Sequence, residues 1–344
     1  MDAREALVAI ASGRTLTRDE ARSAMASVMA GDATPAQLGA LLAALHIRGE
    51  TVDEIAGFAS ALRDVAVRVN VGEDAIDIVG TGGDRSNSFN ISTVSSLVVA
   101  GAGGRVAKHG NRAATSACGS ADVLEALGVR IDLGPEGVAR CVQETRVGFM
   151  FAPRYHPAMR HAGPVRREIG IRTVFNVLGP LANPAGVRRI LLGVPSPALG
   201  EKIARVLAEL GTDLALVVHG EDGLDEISPS CATRTWEVRG DSVREGRIEP
   251  AELGVTTARR DEITGGDPAK NATMARRVLD GAKDGTRTAI LLNAGASSFV
   301  AGLSRDIREG VKLAAESIDR GRAGDVLARF VTTSQRIAAE EATA

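Results

Sequence analysis

Cysteine and aromatic residues are scarce in this chain, and each shortage excludes a class of protein. The 344 residues include only three cysteines, and 3% of the chain is aromatic. Cys118, Cys141 and Cys231 are odd in number, widely spaced and without a CxxC pair, which argues against a disulfide framework or a zinc site. Such cysteines are typical of a reducing compartment, so we expect a cytoplasmic protein. With so few rings, its core must consist mainly of Ala, Val, Leu and Ile.

The chain also lacks an excess of charge and a long apolar run. Lys and Arg number 41 against 43 Asp and Glu, for a formal net charge of −2, and this balance disfavours a general nucleic-acid binder. The longest apolar run, residues 288–303, contains an asparagine and two serines and is too polar and too short for a membrane span. The first residues lack the basic start and apolar stretch of a signal peptide. We therefore expect neither nucleic acid nor membrane as a partner.

The first part of the chain contains only helical patterns. Thr17, Thr34 and Thr51 each precede apolar residues at helical spacing. The first and last of these threonines have a glutamate three residues later, as in a capping box, and the second is followed by a proline. We predict a small all-helical domain over residues 1–72.

Beyond residue 73, short apolar runs alternate with helical ones. The predicted strands are residues 75–79, 105–108, 147–151, 190–194, 214–218 and 289–293. The predicted helices are residues 93–102, 120–127, 135–145, 198–210, 269–279, 307–319 and 323–335. This alternation predicts an α/β domain over residues 73–344 with a mainly parallel central sheet, whose ligands bind at the carboxyl ends of the strands.

Residues 153–184 interrupt the alternation with five prolines and many basic residues. We expect this segment to leave the sheet, to add about residues 165–188 to the helical domain, and to return to the sheet at Ile190. Its arginines include Arg160, Arg166, Arg167 and Arg172. Most of them suit a solvated face, although one arginine could bind a substrate carboxylate.

Three polar stretches with glycine each follow a predicted strand or end it. They are GTGGD at residues 80–84, KHGNR at 108–112 and DGLDE at 222–226. Glycines let backbone N–H groups approach phosphate oxygens, and the helix N-termini that follow attract anions. Lysine and arginine add positive charge, and the late carboxylates are ligands that Mg²⁺ takes together with substrate phosphates. Together the stretches predict a site for a sugar with two phosphate groups.

Each stretch alone also has an ordinary interpretation. The first suits a tight turn with a helix cap and lacks GxGxxG spacing, the second a solvated basic turn, and the third an acidic surface loop. Four histidines could act as acid–base groups, although most histidines do not: His109, His156, His161 and His219. The cysteines are better explained as packing residues than as nucleophiles, and the chain has no GxSxG elbow of a serine hydrolase.

Taken together and in this order, the motifs resemble those of the anthranilate phosphoribosyltransferases of tryptophan biosynthesis, over nearly the whole chain. The resemblance is carried by GTGGD from residue 80, NIST from 90, KHGNR from 108, GSADVLEALG from 119, FAPRYH from 151, VRR from 165, RTVFNVLGPLANP from 172, and residues 219–226. It implies a small helical domain beside a larger α/β domain, as in nucleoside phosphorylases, with the site in the cleft between them. It also implies a homodimer joined through the helical domains.

The resemblance further implies roles for individual residues. Phosphoribosyl pyrophosphate would be held by Gly80, Gly83, Asp84, Ser88, Asn90, Ile91, Ser92, Thr93, Lys108, His109, Gly110, Asn111, Arg112, Ala113, Ala114, Thr115, Ser116 and Ser120. Anthranilate would contact Gly80, Asn111 and Arg166, while Ser92, Asp225 and Glu226 would serve magnesium, expected as two ions. The implied reaction joins the anthranilate amine to C1 of the ribose and expels pyrophosphate. A neutral aryl amine requires no general base, so no catalytic base is assigned.

Several positions depart from the commoner family pattern. Arg85 stands where glycine is frequent, which predicts a stiffer and more positive loop, and Ser88 and Thr115 keep the hydroxyl of a commoner residue. Cys118 stands where serine or alanine is frequent, which puts a donor role at this position in doubt.

Two other functions remain as alternatives. A pyrimidine nucleoside phosphorylase has the same architecture, but is usually longer and has a different phosphate motif. A transferase-like protein that binds nucleic acid should show a basic excess and lack the acidic pair, and this chain does neither.

Overall fold

Four capped helices form the N-terminal part of the fold. The computed structural model describes residues 1–113 and 117–343. Its first helices are α1 (Ala3–Ala11), α2 (Arg18–Ala30), α3 (Pro35–Arg48) and α4 (Val52–Val65). Each begins with a capping box, in which the N-cap side chain and the side chain three residues later bond to each other's backbone N–H. The capping boxes predicted at Thr17 and Thr51 are confirmed.

The rest of the chain alternates strands and helices. The strands are β1 (Ala75–Gly80), β2 (Arg105–Gly110), β3 (Val147–Phe151), β4 (Arg189–Gly193), β5 (Leu214–Gly220), β6 (Thr233–Arg239) and β7 (Ser242–Ile248). The helices are α5 (Ile91–Gly101), α6 (Ser120–Ala126), α7 (Pro135–Thr145), α8 (Ala152–Tyr155), α9 (Gly163–Ile169), α10 (Phe175–Leu181), α11 (Pro197–Glu209), α12 (Pro268–Leu279), α13 (Gly285–Val300), α14 (Ile307–Asp319) and α15 (Arg322–Thr343). Short 3₁₀ turns lie at Pro157–His161, Pro250–Leu253 and Arg260–Ile263. Within the described residues, every helix is too short or too polar to cross a bilayer.

A seven-stranded sheet lies at the centre of this larger part, in the order β3-β2-β1-β4-β5-β6-β7. Strands β1 to β5 run parallel, and β6 and β7 continue the sheet in antiparallel pairing. The predicted combination of a helical part and a mainly parallel α/β part is therefore confirmed.

The sheet is split at its carboxyl end between β1 and β2. These strands pair only at Ala75 with Arg105 and at Ile76 with Val106. By contrast, β1 pairs with β4 as far as Gly80, and β2 pairs with β3 along its whole length beyond Arg105. A crevice therefore opens between the two central strands at the edge where ligands of such sheets bind.

The strand predicted at residues 289–293 is wrong, because this run lies inside α13. An unbroken apolar run does not distinguish a buried strand from a helix that is buried on every side. Nearly all of α13 is buried, including its polar Asn293, Ser297 and Ser298. None of the sequence patterns predicts β6 and β7; five of the seven residues of β7 are exposed, and three of these are charged.

The proline-rich segment between β3 and β4 leaves the sheet and packs on the N-terminal helices. Val165 of α9 and Phe175 and Leu178 of α10 share one apolar core with α1 to α4. That core continues under β4, β5 and α11, while a second core on the other side of the sheet contains α5, α12, α13 and α15. The segment therefore connects the helical part to the edge of the crevice.

Candidate active site

The three glycine-containing stretches meet at the carboxyl end of the split sheet. The Gly82 N–H, after β1, donates a hydrogen bond to the carboxylate of Asp225, after β5, at 2.7 Å. The Lys108 ammonium, on β2, donates to the Ser92 hydroxyl in the first turn of α5 at 3.2 Å. A Cβ added at Gly80 would lie 2.5 Å from Asp225 Oδ2, so this approach requires glycine. The structure thus brings together the predicted phosphate and metal residues of three strands.

In the glycine loop after β1, the first two backbone N–H groups donate hydrogen bonds within the protein, and the next three are available to a ligand. Thr81 N–H donates to the Gly193 carbonyl of β4 at 2.9 Å, as Gly82 N–H does to Asp225. Within the described residues, the N–H groups of Gly83, Asp84 and Arg85 have no acceptor. The φ angles of Gly83 and Arg85 are +87° and +57°, and left-handed residues within a turn are typical of anion-binding concavities. For Arg85 this conformation costs about 1–2 kcal/mol, which glycine would not incur.

The buried Asp225 and Glu226 form an acidic group with the half-buried Asp84, and Lys108 lies near Glu226. Burial, and next the charge of Asp84, raise the pKa of Asp225 to about 7. Burial and the charge of Asp225 raise the pKa of Glu226 to about 8, and Lys108 opposes that rise. The raised pKa values mean that Lys108 does not fully compensate the negative charge of these carboxylates. Their hard oxygen donors fit magnesium, which would supply the remaining positive charge.

A magnesium site made by protein alone is not expected from this arrangement. In the described residues, no three or more His, Cys, Asp or Glu side chains form a metal cage. Magnesium is commonly bound by one or two carboxylates and completed by waters and substrate phosphates. The acidic group beside the open N–H groups fits that type of site.

Two buried polar side chains, neither of them a predicted site residue, hold the crevice open. The Asn183 amide donates to Asp77 Oδ2 at 2.7 Å and to the Ala107 carbonyl at 2.9 Å. Asp77 Oδ1 accepts from the N–H groups of Ile78 at 2.8 Å and His109 at 3.4 Å. These side chains thus satisfy backbone groups that a continuous β1–β2 ladder would pair. The signal in the sequence is a carboxylate in the middle of an apolar strand.

Asp77 also lies close to Lys108. The Lys108 ammonium donates to the Ile78 carbonyl across the crevice, and it is 3% exposed. Burial raises the pKa of Asp77 to about 6, an effect that the neighbouring Lys108 charge opposes. The lysine is therefore fixed in the crevice between carboxylates on both sides.

Arg112, a predicted phosphate contact, is occupied by carboxylates. Its guanidinium pairs with Asp122 at 3.0 Å and with Glu125, and it lies 5.5 Å from the ring centroid of Phe151. Asp122 also accepts from the N–H groups of Ala113 and Gly119 at 2.9 Å each. These bonds tie the connection after β2 to the first turn of α6. The predicted contacts Ala114, Thr115 and Ser116 lie outside the described residues.

Other predicted phosphate contacts lie at helix starts. Asn90 is the N-cap of α5, Ile91 is buried and offers only backbone groups, and the buried Thr93 hydroxyl has no partner in the described residues. Ser120 begins α6 and donates to the Asn111 carbonyl at 3.3 Å. Both helix N-termini therefore border the crevice.

A cavity of about 670 Å³ continues from the crevice toward α9 and α10. Its lining includes Gly80, Asn111 and Arg166, the predicted anthranilate contacts. The Arg166 guanidinium lies 5.1 Å from the ring centroid of Phe175, and burial lowers its pKa. Within the described residues Arg166 has no carboxylate partner. A half-buried cation beside a ring suits a planar aromatic acid.

Two histidines of the same cavity are kept neutral. The rings of His109 and His156 lie 5.1 Å apart, and His109 Nδ1 is 3.1 Å from the Gly179 carbonyl oxygen. Burial and the second histidine lower the pKa of His109 to about 3, and burial lowers that of His156. His109 is therefore uncharged at neutral pH.

We expect this burial to make the protein sensitive to acid. At pH values between the ordinary histidine pKa and about 3, His109 is protonated in the unfolded chain but not in the folded protein. The contribution of neutral His109 to the free energy of unfolding is therefore complete above about pH 6.5 and declines by roughly 1.4 kcal/mol per pH unit below it. Urea unfolding at a series of pH values should show that the free energy of unfolding declines less steeply toward low pH in His109→Gln than in the wild type. His46→Gln, on the exposed side of α3, is the matched control, and equal slopes in all three proteins would contradict this account.

Two family models match consecutive parts of the chain. The one described as "Glycosyl transferase family, helical bundle domain" matches residues 4–66. The one described as "Glycosyl transferase family, a/b domain" matches residues 72–324. The two matches follow the division between the helical part and the part that contains the sheet.

Relatives and solved structures agree with these matches. Anthranilate phosphoribosyltransferase of Thermomicrobium roseum is 53% identical over 337 residues, which cover 96% of this chain and 97% of that protein. The crystal structure of anthranilate phosphoribosyltransferase from Thermus thermophilus matches with a TM-score of 0.92 and 44% identity, covering 97% of this chain and 100% of that one. The Saccharomyces cerevisiae enzyme in complex with PRPP and Mg matches with a TM-score of 0.87 and 28% identity, covering 97% of each chain. The chain therefore belongs to the anthranilate phosphoribosyltransferase family.

Proposed function

We propose that this protein transfers the phosphoribosyl group of phosphoribosyl pyrophosphate to the amine of anthranilate, an early step of tryptophan biosynthesis. The observation that carries the proposal is one continuous site with two different ends. The crevice end has open backbone N–H groups, Lys108 and the buried carboxylates, and the cavity end has Arg166 on Phe175. Relatives with this name and the yeast complex with PRPP and Mg support it.

At the crevice end, the residues stabilise the departing pyrophosphate. Magnesium, bound by Asp225 and Glu226 with Ser92 and expected as two ions, supplies positive charge to the phosphates. Lys108 adds a fixed positive charge from β2, and the N–H groups of Gly83 and Asp84 donate to phosphate oxygens. Groups fixed before the reaction stabilise the charge that develops on the leaving group.

At the cavity end, the residues orient the amine. Arg166 binds the carboxylate of anthranilate, and Gly80 and Asn111 contact the molecule where the cavity meets the crevice. The aryl amine is uncharged at neutral pH, so its lone pair attacks C1 without a base. His109 and His156 are neutral, so they add no positive charge to that of the arginines lining the cavity. Holding both substrates in one site lowers the entropic part of the barrier.

The remaining predicted contacts belong to the phosphates and ribose of the same substrate. At the start of α5 these are Ser88, Asn90, Ile91, Ser92 and Thr93. After β2 they are His109, Gly110, Arg112, Ala113, Ala114, Thr115, Ser116 and Ser120. Arg112 binds phosphate only if it exchanges its bonds with Asp122 and Glu125.

The protein is further proposed to be a cytoplasmic homodimer joined through its helical domain, residues 1–72 with about 165–188. Val8 on α1 and Ile47 on α3 are 64% and 84% exposed, as expected for side chains that a partner covers. The three cysteines are widely spaced, odd in number and without a CxxC pair, which supports a reducing compartment. Sedimentation equilibrium should give twice the chain mass of 35.6 kDa. Ile47→Glu should reduce it to one chain, whereas the control Ala251→Glu, at an exposed position in the part that contains the sheet, should not.

The decrease of anthranilate fluorescence tests the function. The signal should fall only when phosphoribosyl pyrophosphate and Mg²⁺ are both present, stop on addition of a chelator, and resume when excess Mg²⁺ is restored. Absence of turnover, together with phosphorolysis of thymidine or uridine, would instead assign a pyrimidine nucleoside phosphorylase.

A further inference from the structure

The start of α5 is held from outside by a segment that belongs to none of the motifs. Phe89 N–H donates to the Ile263 carbonyl at 2.9 Å, and Gly265 N–H donates to the Asn87 carbonyl at 2.8 Å. Ser88 and Thr264 form an isolated antiparallel bridge between these bonds. We call residues 263–266 together with Asn271 the clamp. The clamp connects the segment before α12 to the backbone that leads into Asn90.

The clamp tolerates no side chain at its closest point. A Cβ added at Gly265 would lie 2.8 Å from Phe89 Cα and 2.9 Å from Phe89 N. It would also lie 2.8 Å from Asn271 Oδ1. Glycine at 265 therefore allows two backbones and the Asn271 amide to meet at one place.

The orientation of the Asn271 amide determines the orientation of the Asn90 amide. Asn271 is 2% exposed, and its Oδ1 accepts from the Gly266 N–H at 2.8 Å. Its Nδ2 therefore points the other way and donates to Asn90 Oδ1 at 2.9 Å. Asn90 Nδ2 in turn donates to the Cys118 carbonyl at 3.2 Å. Because the two ends of an amide are not equivalent, the backbone N–H of Gly266 sets the orientation of both side chains.

We propose that Asn271 is a positioning residue for phosphate binding, acting through Asn90. With its oxygen held by Asn271 and one N–H on Cys118, Asn90 has its second N–H left for a phosphate oxygen at the start of α5. Rotated by half a turn, Asn90 would present its oxygen to the phosphate and to the Cys118 carbonyl, and both would repel it. The inference rests on the proposed function, which places Asn90 against phosphoribosyl pyrophosphate.

Asn271→Asp tests the orientation directly. The variant keeps the size of the side chain and the bond from Gly266, but it places a carboxylate oxygen against Asn90 Oδ1. Asn90 should then rotate, and KM for phosphoribosyl pyrophosphate should rise by roughly 10- to 100-fold, the loss expected for one hydrogen bond to a charged group. The kcat and the KM for anthranilate should change much less. Thr273→Ala, at an exposed position of the same helix, is the control and should leave all three constants unchanged.

A double-mutant cycle separates positioning from a general effect on folding or charge. Asn271→Ala and Asn271→Asp are each measured with Asn90 present and in an Asn90→Ala background. If Asn271 acts through Asn90, its substitution raises KM only where Asn90 is present. Equal factors in both backgrounds, or an unchanged KM with Asn90 present, would overturn the proposal. If Asn271→Ala fails to fold in a thermal scan, the cycle with Asn271→Asp gives the same decision.

Failure of the proposed function is recognised separately. Wild-type turnover of anthranilate with phosphoribosyl pyrophosphate is measured first. Its absence would contradict both the function and the role of Asn271. Normal turnover with additive effects in the cycle would contradict the role of Asn271 alone.

Discussion

Replacing Asp225 by Asn and Glu226 by Gln in one protein should lower magnesium-dependent turnover by roughly 10²- to 10³-fold, because several kcal/mol of charge stabilisation are lost. The amides keep the shape of the carboxylates but are poor ligands for a hard cation. Initial rates over a series of Mg²⁺ concentrations measure the effect. Glu221→Gln, an exposed carboxylate directly after β5, is the matched control and should behave like the wild type. An unchanged magnesium dependence in the double variant would contradict the assignment of these ligands.

The same substitution should not weaken the folded state without metal. Burial raises the pKa of Asp225 to about 7 and that of Glu226 to about 8. The stability that these carboxyls contribute is complete below their ordinary pKa and is lost as pH rises through those values. Without magnesium, the wild type should therefore lose stability across this range, and the double variant should lose less. Denaturant unfolding with and without Mg²⁺ distinguishes this effect from a general loss of folding.

Arg166→Ala should raise KM for anthranilate by roughly 10- to 100-fold, because a charge-assisted bond to the carboxylate is lost. The KM for phosphoribosyl pyrophosphate should change little, since Arg166 lies at the cavity end, on Phe175. Arg166→Lys should recover part of the affinity, because it keeps the charge without the planar fork.

Two measurements check the role of Arg166. KM for each substrate is determined at saturation of the other. Arg160→Ala serves as the control, since Arg160 is an exposed cation lining the same cavity. Equal increases in both KM values for Arg166→Ala would argue against binding of the aromatic acid at this arginine.

Local signals in the sequence are sufficient for much of the fold. Capping boxes such as Thr17 with Glu20 depend on residues three apart, and short apolar runs bounded by glycine or polar residues identify β1 to β5. The run 289–293 has no such boundary signal, and whether it forms helix or strand depends on how completely its neighbours cover it. The sequence therefore predicts a strand where the assembled protein has a buried helix.

The candidate site is predictable only where a motif carries its own chemistry. The motifs GTGGD, KHGNR and DGLDE contain the glycines and charges that are proposed to bind phosphate and metal. Asn271 lies 181 residues from Asn90, and Asn183 lies 106 residues from Asp77. Neither pair has a local pattern, because these contacts exist only once the sheet and helices have assembled. The pairing of Arg112 with Asp122 and Glu125 also depends on how the chain turns after β2.

The crevice between β1 and β2 interrupts the regular pairing of the sheet at the place where the substrate is proposed to bind. An aliphatic, β-branched residue in place of Asp77 would suit a buried strand better, and it would remove the partner that Asn183 and the His109 N–H now use. The two strands could then pair by backbone hydrogen bonds over a greater length, and the space beside Lys108 would close. A redesign that optimises only strand pairing would thus close the crevice that the enzyme needs for its substrate. Stability and activity therefore favour different residues at this position.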